Sequence, residues 1–153
     1  MFGMDELVQV LVSFCGTLGF GILFNHRGKK LLFGALGGML AWVIFLLLGL
    51  VIEDEVIRYF IVSTLVSVYA EILARIIKTP TTTFCIVSLV PLIPGSGLYY
   101  SMAYALEGSM ESFLARAAYT LELTAALSMG IVLVTAIMRG FKMIVHNRRA
   151  RRA

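Results

Sequence analysis

Apolar residues run through this chain in five long blocks, near 6–24, 31–52, 56–77, 81–106 and 117–141, parted by short clusters of charged or turn-forming residues. A helix needs about 20 predominantly apolar residues to cross the hydrocarbon layer, so each block is long enough to span it. The pattern predicts an all-α fold, a polytopic membrane protein of five transmembrane helices. The 153 residues form a single integral membrane domain with a basic tail over 142–153, and no repeat, low-complexity run or linker divides them.

The fourth block is interrupted near its middle by Pro91-Leu92-Ile93-Pro94-Gly95-Ser96-Gly97. Proline has no N–H to close the helical ladder, so Pro91 and Pro94 are expected to leave the carbonyls of Val87 and Val90 without intrahelical donors. Within hydrocarbon, a broken backbone is tolerated only where protein or a water-filled cavity satisfies it. The fourth helix is therefore expected to break at Pro91 to Gly95 and to line a cavity at membrane depth, as the discontinuous helices of transporters do.

Composition agrees with the pattern. Hydrophobic residues make up 59% of the chain and charged residues 14%, and the mean hydropathy is +0.92, far from a soluble domain. Charge then sets the orientation. Eleven of the thirteen Lys and Arg residues, among them Arg27, Arg75, Lys78 and Arg139, follow blocks one, three and five, and only Arg58 and Arg116 belong to the other face. The positive-inside rule places the carboxyl terminus in the cytoplasm and, with five spans, the amino terminus outside. The net charge of +4 reflects these loops and the tail, which suits anionic lipid at the bilayer surface rather than nucleic acid. Asp5 and Glu6 precede the first block, the opposite of a signal peptide's basic leader, so that block is expected to stay as a helix.

Two acids lie within spans. In block three, Tyr59, Ser63, Ser67, Glu71 and Arg75 follow one another at intervals of four, a polar stripe on one helix face that should look into the bundle, a partner helix or an aqueous path. Glu71 either pairs with Arg75 one turn on or serves in proton coupling, with Arg75 as its gating ion-pair partner. Glu122 has no Lys or Arg one turn to either side, and lies roughly 9 Å to the outer side of the midpoint of block five at about 1.5 Å per residue. Desolvation there suits a group that loads and releases a proton. The alternatives are a protonated side chain hydrogen-bonded across helices and a position in the outer interface.

At the break, a half-helix starting near Gly95 presents its N–H groups at the midplane, where they suit a carboxylate. The carbonyls ending the first half suit an ammonium, a hydroxyl or a cation, and Ser96 adds a hydroxyl. Candidate substrate-binding positions are Pro91, Pro94, Gly95, Ser96, Gly97 and Tyr99; the competing reading is a proline kink that only shapes the bundle. Tyr100 lies one turn from the break as well, whereas Tyr104 fits the aromatic belt. Thr81, Thr82 and Thr83 after Pro80 suit helix capping or a polar vestibule on the cytoplasmic side. Gly34 and Gly38 form a small-xxx-small pair, and Gly16, Gly19 and Gly21 mark the first block, both read as helix packing.

Cys15 and Cys85 both fall inside apolar blocks and read as small hydrophobes. His26 and His146 are isolated, so neither a metal nor another cofactor is implied. Enzyme chemistry is not expected, since the chain lacks a His-Glu-x-x-His motif and Gly95-Ser96-Gly97 is not a full nucleophile elbow.

Ala70-Glu71-x-x-Ala74-Arg75-x-x-Lys78-x-Pro80, followed by Pro91-Leu92-Ile93-Pro94-Gly95-Ser96 and Tyr99, resembles the carboxyl-terminal half of the threonine/serine exporter family, and the likeness covers nearly the whole chain. It implies a secondary exporter in a prokaryotic plasma (inner) membrane, driven by the proton gradient and moving threonine or serine outward. Some members of that family are split into two chains, and a split pair is associated with succinate export. Single-chain members carry ten spans, so the resemblance also implies a second membrane subunit with the other five helices, with a homo-oligomer as the alternative. A structural or assembly subunit without its own substrate site is the third reading.

Overall fold

The computed structural model of the protein describes residues 3–150, with side chains as far as Phe141. The side chains of the basic tail over 142–153 lie outside the described residues. Helices α1 (Met4–Leu23), α2 (Lys29–Gly49) and α3 (Glu55–Ile77) are followed by α4 (Thr81–Leu89), a 3-10 turn (Val90–Leu92), α5 (Gly95–Leu106) and α6 (Met110–Ala150). Helices α1, α2, α3 and the Met110–Phe141 stretch of α6 are long and apolar enough to cross a membrane. The pair Thr81–Leu92 and Gly95–Leu106, bent by 55°, adds a fifth if it forms one span.

Local chemistry sets several boundaries. Asp54 caps α3, its Oδ1 accepting from the N–H groups of Val56 at 2.8 Å and Ile57 at 3.2 Å. The same helix ends at Lys78 in the left-handed conformation (φ 54°), which lets the Thr79 N–H return to the Ala74 carbonyl. Helix α6 begins seven residues before the expected start of block five, because Glu111 and Arg116 dilute the apolar pattern without interrupting the helix.

Helix α4 sits between α2 and α3, α6 packs along α3, and α1 lies against α2. Beyond the break, α5 leans on α6. The core gathers Phe45, Tyr59, Val62, Val66, Phe84 and Leu92, with Leu123 and Ala126 supplied by α6. At its acidic end Phe45 stacks on Trp42 and meets Tyr59 edge-on at a ring separation of 5.3 Å, while the Arg58 guanidinium lies 4.8 Å from the Phe45 ring centre.

Close helix approach is carried by particular glycines. A Cβ on Gly38 would strike the Thr17 side chain of α1, and one on Gly34 would sit 3.1 Å from Val87, so this pair packs as expected. Gly16 and Gly19 face open space and hold nothing together, whereas Gly21 packs against Leu31. The tightest approach is at Gly130, whose added Cβ would lie 2.9 Å from both the Phe60 carbonyl oxygen and the Thr64 nitrogen, so α6 crosses α3 almost backbone to backbone. Sequence reasoning passed over this glycine because it stands alone in an apolar run.

Candidate functional site

The polar stripe of α3 turns inward. Tyr59, Ser63, Ser67 and Glu71 are buried, and only Arg75 at the helix end reaches the surface. Hydroxyls on this stripe remain compatible with an apolar interior because they bond locally or across a helix contact: Ser63 Oγ donates to the Phe60 carbonyl at 3.0 Å, and Ser67 Oγ lies 3.9 Å from Cys85 Sγ on α4.

Glu71 is the acidic member of this stripe, and its carboxylate accepts from side chains of both α3 and α4. Arg75 donates to Oε1 from Nη2 at 3.1 Å and from Nε at 3.4 Å, while the Thr81 hydroxyl donates to Oε2 at 2.5 Å. The i,i+4 spacing brings Arg75 onto the Glu71 face. Pro80 begins α4 with no side-chain cap, so Thr81 spends its hydroxyl on Glu71 instead of on a helix end as capping would require. The two partners differ in mobility: the Arg75 side chain is 52% exposed and that of Glu71 9%. An ion pair with one end in water is weak and easily exchanged, whereas a buried carboxylate stripped of all donors would cost several kcal/mol.

Beside this carboxylate opens a cavity of about 290 Å³ between α3, α4 and α6. Thr81, Thr82 and Cys85 line it from α4, and Thr135 and Arg139 from α6. It lies at the bundle end that holds Arg75, Lys78 and Arg139. Arg139 and Thr135 escaped the sequence reading because they stand on the last turns of a long apolar block, where a basic residue signals orientation first. Spacing does offer a sign, since Thr124, Ser128 and Thr135 fall on one face of α6.

The break is built differently from expectation. The chain tightens into the 3-10 turn, so the Val90 N–H bonds to the Val87 carbonyl and the Ile93 N–H to the Val90 carbonyl at 3.2 Å. The two carbonyls expected to be orphaned by the prolines thus have donors, because shorter i,i+3 bonds replace the missing ladder. Ile93 is extended, Pro94 stands at the N-cap, and α5 restarts at Gly95. Gly95 and Ser96 are exposed, Pro94 and Gly97 are buried, and Gly97 abuts Thr120 of α6. Tyr99 is 68% exposed and meets Tyr100 edge-on, and Arg116 lies 5.7 Å from the Tyr100 ring centre.

Other candidates lie apart. Pro91 lines a largely apolar cavity of about 270 Å³ with Ser13, Thr17 and Trp42, near the middle of α1. Glu122 lies on the opposite flank, in an apolar groove with Val56, Ile57 and Phe60 from the first turns of α3, close to that helix's acidic end. The structure therefore joins Glu71 to Arg75 and separates both from Pro91 and from Glu122. Among the described residues no cluster of three His, Cys, Asp or Glu side chains is placed to hold a metal ion.

Four long apolar helices and a bent helix pair, with a buried carboxylate beside a cavity between three of them, are consistent with the multi-pass membrane class. Residues 9–137 match the threonine/serine exporter family, ThrE, and the chain belongs to that family. No curated protein sequence and no solved structure matches the chain.

Proposed function

We propose that this chain is a subunit of a proton-driven secondary exporter that moves small hydroxylated amino acids, threonine or serine, out of the cell across the prokaryotic plasma membrane. The observation that carries the reading is the buried Glu71 carboxylate beside a cavity, accepting from the Thr81 hydroxyl and from the Arg75 guanidinium, whose side chain is 52% exposed. A carrier needs a charge that stays satisfied while its partners change, and this arrangement supplies one. The positive-inside rule puts that end of the bundle in the cytoplasm, from which an exporter loads.

The Pro91 to Gly97 break serves in this reading as the element along which substrate passes outward, with Gly95, Ser96 and Tyr99 exposing backbone and hydroxyl groups beside α6. Its flank is open because α5 leans on α6 and not on α1, α2 or α3. A second membrane subunit carrying the remaining helices closes that flank and completes the path. A dicarboxylate such as succinate is the competing cargo, favoured by Arg75 and Arg139 near the cavity mouth and opposed by the like charge of Glu71.

Counterflow in proteoliposomes, with and without the second subunit and with radiolabelled threonine, serine and succinate, tests the reading. Movement of threonine or serine with the partner present is expected. Movement of none of the three with the partner present ends the exporter reading, and movement of succinate alone transfers it to dicarboxylates.

A further inference from the structure

Three kinds of polar group meet in the cavity between α3, α4 and α6: the Glu71 carboxylate, the Arg139 guanidinium, and the hydroxyls of Thr82 and Thr135. Its volume of about 290 Å³ lies at the foot of the ~300–1,000 Å³ range of drug-sized ligand sites, so it suits a molecule of a few heavy atoms. Glu71 stands on α3 and Arg139 on α6, so a cation-seeking and an anion-seeking wall belong to different helices.

We infer that this cavity is the loading site for a free zwitterionic amino acid and that it holds the substrate in one polarity, with the ammonium on Glu71, the carboxylate on Arg139 and the side-chain hydroxyl among Thr82 and Thr135. The inference rests on the exporter reading above and adds where and how the substrate is taken up. Glu71 Oε1 already accepts from Arg75, whose side chain is half in water, so an arriving ammonium exchanges one cationic donor for another and leaves the buried carboxylate satisfied. Thr81 keeps Oε2 throughout and fixes the carboxylate's orientation. Arg139 presents a planar fork matched to a carboxylate. The threonine hydroxyls supply the discrimination: Thr135 Oγ1, which donates to the Ile131 carbonyl at 2.8 Å, can accept from a substrate hydroxyl, and Thr82 Oγ1 can donate or accept, contacts that an apolar analogue forgoes. A dicarboxylate would set one of its anionic ends against Glu71, and an N-acylated amino acid would bring no cation to it.

Cys85 lines the same cavity, and the other cysteine, Cys15, is exposed on α1, so a Cys15→Ser chain carries one thiol reporter inside the site. In inverted membrane vesicles, the rate of Cys85 alkylation by N-ethylmaleimide is measured with threonine, serine, N-acetylthreonine, threonine amide or succinate. Threonine at ten times its dissociation constant is expected to slow labelling about tenfold by occupancy. N-acetylthreonine and succinate should leave the rate unchanged. Glu71→Gln should abolish protection by threonine, and Arg139→Gln should reduce protection by threonine to that given by threonine amide. Thr135→Cys in a chain lacking both native cysteines gives a second reporter on the facing wall, and the ligand series alone decides the matter if Glu71→Gln does not accumulate. Failure of threonine to protect either thiol, or equal protection by N-acetylthreonine, overturns the assignment. Threonine counterflow without protection refutes this site and leaves the exporter reading standing, whereas protection without counterflow keeps the site and refutes export.

Discussion

The Thr81 hydroxyl donates to Glu71 Oε2 across 2.5 Å and so ties the first turn of α4 to the end of α3. The two residues lie ten apart, with the left-handed Lys78 and Pro80 between them turning the chain back on itself. Removing this donor takes from the carboxylate its hydrogen bond to α4. A Thr81→Val variant, equal in shape, should lose about 1.5–3 kcal/mol, the range for a hydrogen bond to a charged group, and Thr81→Ser should recover most of it. Thermal unfolding in detergent measures both; an unchanged midpoint for Thr81→Val means the bond does not hold α3 to α4.

Gly130 and Gly19 make an opposed pair. A methyl on Gly130 would press on the Phe60 carbonyl and the Thr64 nitrogen, both backbone atoms that cannot step aside, so Gly130→Ala should cost about 1–3 kcal/mol by forcing α6 off α3. Gly19 has open space around its Cα, so Gly19→Ala should be neutral or stabilise by up to about 1 kcal/mol through helix propensity. Unfolding midpoints in detergent separate the two, and equal effects would contradict the packing described for the α3–α6 crossing.

The helices were readable in the sequence wherever a long apolar run ended at a charge or a cap, as at Asp54 and Lys78. The inward turn of the α3 stripe was readable too, since an interval of four fixes a helix face whatever lies opposite. What lies opposite was not readable. That Thr81 bonds Glu71, that Arg139 shares its cavity, and that Gly130 rather than Gly16 or Gly19 sets a helix crossing all depend on how separate helices meet. The break shows the same limit from another side: proline announces a missing donor, but only the tightened backbone reveals that the Val87 and Val90 carbonyls recover theirs.

Within the Pro-Gly run, Gly95 and Gly97 have different duties. No atom lies within 4 Å of a Cβ on Gly95, whereas one on Gly97 would collide with the Thr120 side chain. Gly97→Ala should therefore loosen α5 from α6, and Gly95→Ala should not. Hydrogen exchange of the α5 amides reports the difference, with faster exchange expected over Gly95–Leu106 in the first variant alone. Equal protection in both variants would mean that α5 does not depend on the Gly97–Thr120 contact.

Glu122 presents the sharpest choice between structure and coupling. It makes no hydrogen bond or ion pair among the described residues, and the groove around it is apolar. Of the basic side chains at this end, Arg58 lies over the Phe45 ring and Arg116 over the Tyr100 ring. A carboxylate without a partner adds nothing to the fold of this chain by itself, so Glu122→Gln should leave the unfolding midpoint within about 0.5 kcal/mol of the parent, as substitutions away from packed features do. If Glu122 carries the proton, the neutral amide should keep counterflow, which needs no gradient, and abolish the stimulation of transport by an imposed pH difference. Full pH-driven transport by Glu122→Gln would remove it as the coupling group and leave Glu71 as the candidate to test next.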